Sequence, residues 1–315
     1  MVKKLFIVTL ALVMVFSITG MASNSYKIPV VLKALNSDYW KTVEAGAKDA
    51  ANELGVEVSV IGPSAETQVM EQFNMLQDQL IRDIDALVVA PLRPTTLTPI
   101  FEQAKQEGIP VLLIDTDAPW EGKVTFIGTG NYEAGRQAGE YMLQKLPNGG
   151  NVVIIRGAMG DLTHDERTNG FLDAVEGTDI KVVAIQPANS ERGMGMTVMQ
   201  NLLQAHPDID GVYATNDEMA LGALRAIQTA GIKKDIAIIG FDGSPDALKS
   251  IRDGGLTASI KQDSYMIGYY GVEYAVKYLN GEKVEKEIPV PTLVIDKTNV
   301  QEEIANMEKI LGRNL

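Results

Sequence analysis

The 315-residue sequence contains no cysteine and only two histidines. The first absence excludes disulfides, a thiol nucleophile, a thiolate metal site and a lipid-anchoring cysteine. The second leaves His164 and His206 as the whole supply of imidazole, and His206, directly before Pro207 in a polar stretch, reads as a turn residue. No HExxH, GxSxG or Walker A sequence occurs. Positive charge is scarce: 28 Lys and Arg face 41 Asp and Glu, for a net charge of −13. With no basic run to concentrate charge, nucleic acid and anionic membrane are poor partners. Long apolar runs are missing too, apart from residues 5–19, which follow Lys3 and Lys4 and precede Gly20-Met21-Ala22. That run is shorter than the roughly 20 residues of a membrane span. Its flanks are those of a signal peptide cut after Ala22. Removing residues 1–22 takes two lysines with it and leaves −15. A secreted chain without a lipid anchor suits a periplasm between two membranes.

What is present is 45% hydrophobic residues without low-complexity tracts, enough for about two globular domains. Short β-branched runs alternate with amphipathic stretches, the pattern of an α/β doubly wound parallel sheet. The spacing predicts strands at residues 28–35, 56–61, 86–90, 111–114, 124–127, 152–155, 182–185, 212–214, 236–239, 257–260 and 293–295. Val43, Ala47, Ala50, Ala51 and Leu54 form one helical stripe ahead of Gly55, and residues 217–230 read as a helix before Gly231. Residues 264–279 form another. Asn299 with Glu302 is expected to make a capping box for a terminal helix striped by Val300, Ile304, Met307 and Leu311. Strands before Thr129 and after Asn151 make two sets of similar size, hence two lobes.

Ligands of open parallel sheets bind beyond the carboxyl ends of the strands. Lys33, Asp115, Asn216, Asp242 and Gln262 each follow or close a strand, and Arg167 lies one loop beyond another. Planar Asp, Asn and Arg groups match adjacent sugar hydroxyls, which both donate and accept. Tyr39 and Trp40 offer faces for the C–H side of a pyranose. Each has a plainer reading: Asn216 or Asp217 as a helix cap, Asp115 and Asp242 as turn residues, Lys33 and Arg167 as solvated surface charges, and the aromatic pair as core. Their joint occurrence on one rim favours a ligand site. The first strand is followed by Lys33-Ala-Leu-Asn-Ser-Asp-Tyr-Trp40, without the glycine that a dinucleotide pyrophosphate requires. No carboxylate pair stands out as acid and base, so no cofactor, metal site or catalytic residue is expected.

The segments Val31-Leu-Lys-Ala-Leu-Asn-Ser-Asp-Tyr-Trp40, Gln186-Pro-Ala, Val198-Met-Gln-Asn-Leu-Leu-Gln-Ala-His-Pro207, Asn216-Asp-Glu-Met-Ala-Leu-Gly-Ala-Leu224 and Gly240-Phe-Asp-Gly-Ser-Pro-Asp246 resemble the periplasmic sugar-binding proteins of the ribose, allose and galactose importers. The similarity covers nearly all of the chain after residue 22. It implies a type I periplasmic binding protein, two lobes joined by a three-stranded hinge, acting as a monomer that passes a monosaccharide or polyol to an inner-membrane ABC permease. Position by position, the implied sugar contacts are Lys33, Ser37, Tyr39, Trp40, Asp115, Thr116, Arg167, Asn216, Asp242 and Gln262. Thr116 stands where the family usually has Arg or Glu, and Ser190 where a Phe or Trp usually covers a ring face, so a bulkier or differently substituted sugar or polyol fits the extra space beside the allose- or ribose-like ligand that the resemblance implies. The expected crossings lie near residues 129–130, 261–262 and 289–293. They divide the chain into 25–129 with 263–290 and 130–262 with 291–315. Competing readings are a sugar-modifying enzyme on the same scaffold, an autoinducer or chemotaxis receptor, and a ligand-sensing regulator whose DNA-reading segment would have to precede Tyr26.

Overall fold

Runs of β-branched residues with no polar face suit strands buried on both sides, and such strands need helices above and below the sheet. The computed structural model describes residues 25–315, and it shows this arrangement twice. The signal peptide expected over residues 1–22 lies outside the described residues.

The first sheet holds β1 (Lys27–Val31), β2 (Glu57–Ile61), β3 (Leu87–Val89), β4 (Val111–Ile114), β5 (Phe126–Thr129) and β11 (Glu287–Val290). Their order is β11-β5-β4-β3-β1-β2 and every pairing is parallel. The second holds β6 (Gly150–Arg156), β7 (Ile180–Pro187), β8 (Gly211–Ala214), β9 (Ala237–Asp242), β10 (Ala258–Gln262) and β12 (Thr292–Asp296). Its order is β12-β10-β9-β8-β6-β7, parallel except where β12 runs against β10.

Around the first sheet pack α1 (Asp38–Leu54), α2 (Val69–Leu80), α3 (Pro94–Gln106) and α9 (Ser264–Leu279). Around the second pack α4 (Asn131–Lys145), α5 (Leu162–Val175), α6 (Arg192–Ala205), α7 (Asp217–Thr229), α8 (Pro245–Arg252) and α10 (Val300–Leu311). Alternate residues of one strand serve opposite cores. Val30 packs with Val43, Ala47, Val88 and Leu112, whereas Val31 packs with Val89, Leu97 and Phe101. In the second lobe Val153 and Val212 share one core, and Val152, Ile154 and Tyr213 share the other.

The chain passes between the sheets three times: from β5 to α4, from β10 to α9, and from β11 through Pro291 to β12. The two-lobed fold expected from the alternation is therefore present. Several details differ. β1 ends at Val31, four residues before the end expected at Leu35, so Lys33 lies beyond the strand and does not close it. β11 was not anticipated, because Pro289 interrupts a run of four residues, and proline is tolerated where β11 stands, at the sheet's edge. β5 begins two residues later than the apolar run. Asn299 forms no capping box; its side chain instead accepts from the Asp296 amide at 2.9 Å and donates to the Val294 carbonyl at 2.9 Å. That bonding ties the helix entry to β12.

Candidate functional site

The carboxyl ends of both sheets face one interlobe cleft. Asp115 directly follows β4, Asp242 and Gln262 are the last residues of β9 and β10, and Lys33 lies two past β1. Ser37 and Asn216 are the N-caps of α1 and α7, taking amide bonds from Trp40 at 3.5 Å and Met219 at 3.0 Å. Tyr39 and Trp40 occupy the first turn of α1, and Arg167 the second turn of α5.

Around a cavity of about 20 Å³ the structure assembles Lys33, Tyr39, Trp40, Asp115, Arg167, Asn216, Asp242 and Gln262, joined by Glu66, Thr163 and His164. An adjoining cavity of about 20 Å³ shares Tyr39, Trp40, Glu66, Asn216 and Asp242 with it and reaches Ser37 and Ser190. Thr116 is not among their walls. It sits behind Asp115, donating to Oδ1 at 2.8 Å, and lines a separate cavity beside Phe126 and Thr129.

The polar groups are tightly connected. Tyr39 donates its hydroxyl to Asp115 Oδ2 at 2.7 Å, and Trp40 donates Nε1 to Glu66 Oε1 at 2.8 Å. Lys33 Nζ lies 2.9 Å from Asp161 and 3.4 Å from Asp115, so an ammonium at the end of β1 spans the two lobes. Arg167 donates to Asn131 Oδ1 at 2.8 Å and the Thr215 carbonyl at 3.0 Å, lies 3.7 Å from Asp242, and rests on the Phe241 ring 3.7 Å from its centroid. Gln262 donates to Asp242 at 2.7 Å and accepts from Thr129 at 2.9 Å, linking two of the chain's crossings to the cleft. The plainer readings of the aromatic pair and of Asn216 hold at the same time: Tyr39 and Trp40 are core residues, and Asn216 caps a helix, while all three line the cavity.

Four non-glycine residues among those described have φ in the left-handed region: Asp115 at 63°, Asn189 at 53°, Ser190 at 63° and Asp242 at 119°. All four border these two cavities. Such conformations cost about 1–3 kcal/mol each, and persist where the surrounding structure holds a side chain for use.

Burial shapes the charge states. It opposes the Lys33 ammonium, but Asp161 and Asp115 overcome it and raise the Lys33 pKa. Burial would raise Asp161, yet Lys33 and His164 hold it below the usual carboxylate range. Burial takes His164 down to about 3, against the pull of Asp161. Asp242 goes the other way, pushed well up by burial despite Arg167. Glu66, Asp161 and His164 bring ligand atoms within 4.8 Å of one another, a spacing a cation could use. The chemistry is unsuited to one: Lys33 occupies Asp161, and both imidazole nitrogens are engaged, with Thr215 at 2.8 Å and Ser190 at 3.0 Å.

Glu66, Asp161 and Thr163 did not stand out in the sequence. Glu66 follows β2 and Asp161 follows β6, so the strand-end argument that found Asp115 reaches them when the loops are read further.

The sequence matches the periplasmic binding protein domain family over residues 28–283. The ribose import binding protein RbsB of Salmonella typhimurium is 37% identical over 295 residues, 94% of this chain and 99% of that protein. The D-allose-binding periplasmic protein of Escherichia coli is 31% identical over 286 residues, 88% of this chain and 90% of that one. A carbohydrate transporter solute binding protein from Agrobacterium radiobacter, solved in complex with D-arabinose, superposes with a TM-score of 0.85 at 31% identity, covering 92% of this chain and 99% of that one. The resemblance carried by the sequence motifs is thus borne out over most of the described residues. With two doubly wound lobes and a polar cleft between them, the chain belongs to the periplasmic binding protein family, among the solute receptors of sugar importers.

Proposed function

We propose that this chain binds one monosaccharide or cyclic polyol, allose-like, ribose-like or a related hexose, between its lobes and presents the closed complex to an inner-membrane ABC permease. The observation that carries the reading is the ring of buried polar side chains contributed by both lobes to one small cavity. Lys33, Tyr39, Trp40 and Asp115 come from one side, and Arg167, Asn216, Asp242 and Gln262 from the other. Ser37 stands at the rim and Thr116 supports Asp115 from behind.

A ligand shifts an open–closed equilibrium only through contacts that the closed form makes and the open form lacks. Groups on separate bodies supply that difference. The bodies are residues 25–129 with 263–290 and residues 130–262 with 291–315, turning about the three crossings as a hinge. The chain acts as a periplasmic monomer after loss of residues 1–22, and leaves its ligand chemically unchanged. His164, the one imidazole in the cleft, is neutral and bonded through both nitrogens, which leaves it no proton-transfer role.

The test is a thermal-shift screen against pentoses, hexoses, polyols and inositols, followed by calorimetry on the hits. Binding to the folded state alone raises the melting temperature as ligand exceeds its Kd. A family of related sugars that each raise it supports the reading, and a flat response across the panel removes it.

A further inference from the structure

Charge around the cavity does not balance. Two cations, Lys33 and Arg167, face the carboxyl groups of Glu66, Asp115, Asp161 and Asp242, of which burial favours the neutral form of Asp242. Both cations are already committed, Lys33 between Asp161 and Asp115, and Arg167 beside Asp242. Among the described residues Glu66 belongs to no ion pair within 4.0 Å. The nearby imidazole of His164 is neutral.

Glu66 is nevertheless placed for contact. It borders both halves of the cleft, and Trp40 Nε1 holds its Oε1 at 2.8 Å, which fixes the carboxylate while leaving Oε2 with no cation. Burial raises its pKa, only partly offset by Lys33. Glu66 is only partly buried, and a carboxylate partly withdrawn from water is stabilised by pairing with a cation or by taking a proton. A ligand bearing only hydroxyls would accept or donate hydrogen bonds here without supplying the missing charge.

We propose that the ligand carries a basic nitrogen, and that Glu66 receives it as an ammonium, making the preferred class an amino sugar or an amino-substituted cyclic polyol. The proposal rests on the cleft being a sugar-receptor site, and it deepens that reading. Glu66 acts as the specificity-determining residue, while Asp115, Asp242 and Arg167 engage the ring hydroxyls common to amino and neutral sugars.

The experiment is calorimetry on the full mature chain with matched pairs: D-glucosamine and D-glucose, D-galactosamine and D-galactose, D-mannosamine and D-mannose, and an aminodeoxyinositol with its parent inositol. The expected result is one pair in which the wild type binds the amine at least about tenfold more tightly. Glu66→Gln, which keeps the bond to Trp40 but not the charge, then weakens the amine more than its neutral partner and erases that preference. Glu66→Asp retains it, and thermal melts of both variants check that they fold. Neutral sugars bound as tightly as their amines in every pair, or an amine preference that survives in Glu66→Gln, would overturn the proposal and leave the receptor reading standing. No binding to any member of any pair also overturns the proposal, whereas the receptor reading falls only with a flat response across the wider thermal screen.

Discussion

Asp115, directly after β4, and Asp242, at the end of β9, have φ of 63° and 119° and both line the cleft, a backbone strain of about 1–3 kcal/mol each. Asp115→Ala and Asp242→Ala should each weaken sugar binding by about 10- to 100-fold, since a lost bond to a charged group costs about 1.5–3 kcal/mol. Calorimetry reads this directly, and unchanged circular dichroism separates it from unfolding; wild-type affinity in both variants would dismiss the site. His164 gives a second residue-scale outcome. Its folded pKa is about 3 against an ordinary 6.5, because burial disfavours the imidazolium. The neutral form thus contributes stability that is complete above about pH 6.5 and is lost as pH falls through that value toward 3. Relative to His164→Gln, the wild type should lose about 2 kcal/mol between pH 7 and pH 5. Urea titrations at the two pH values test this, and parallel behaviour of the two proteins would contradict it.

Among elements, the helix pairs set how precisely the side chains are presented. α1 and α9 cross where glycines face backbone: a Cβ on Gly46 would lie 2.0 Å from the Tyr265 carbonyl oxygen, and one on Gly268 1.9 Å from that of Val43. α4 and α5 cross in the same way, with a Cβ on Gly135 falling 2.2 Å from the Arg167 carbonyl oxygen. Gly46→Ala should therefore cost about 1–3 kcal/mol of stability, as overpacking does, while leaving ligand affinity nearly unchanged. Gly135→Ala should cost a similar amount and also weaken binding, because the strain falls on the backbone that carries Arg167. Denaturant unfolding paired with calorimetry distinguishes them; equal affinities in the two variants would separate Arg167 from ligand binding. The elements also show where local reading stops. Gly55, with φ of 68°, ends α1 where a glycine after an apolar stripe predicts it. β11 has no such mark: its place beside β5 depends on pairing across about 160 positions of chain, and four residues with a proline carry no period of their own.

At the scale of the molecule, ligand bonds and lobe closure are one equilibrium. Gln262 touches both Asp242 in the cleft and Thr129 at another crossing, so one side chain joins the cleft to two of the crossings. Lys33 likewise reaches across 128 positions to Asp161. Small-angle scattering should show a smaller radius of gyration when a ligand identified by the thermal screen saturates the protein, with the unliganded chain more open. An unchanged radius with full occupancy would mean a preformed site and no hinge. Thr129→Val, which removes the hydroxyl bonded to Gln262, should weaken binding by a few fold through closure alone.

The strand–helix alternation, the division into two sheets and the polar strand ends were legible in the sequence. Each arises from short-range patterns: period-2 and period-3.6 burial, glycines after helices, and the exposure of whatever follows a strand in a parallel sheet. Lys33, Asp115, Asn216, Asp242, Gln262 and Arg167 could be singled out on that basis. Tertiary structure decided which of them meet. The partnering of Lys33 with Asp161, the Trp40–Glu66 bond, the withdrawal of Thr116 behind Asp115 and the surplus of carboxylates over cations all depend on how segments distant in sequence are brought together. Side-chain periodicity carries no record of that distance, because it reports which face of an element is buried and not what buries it.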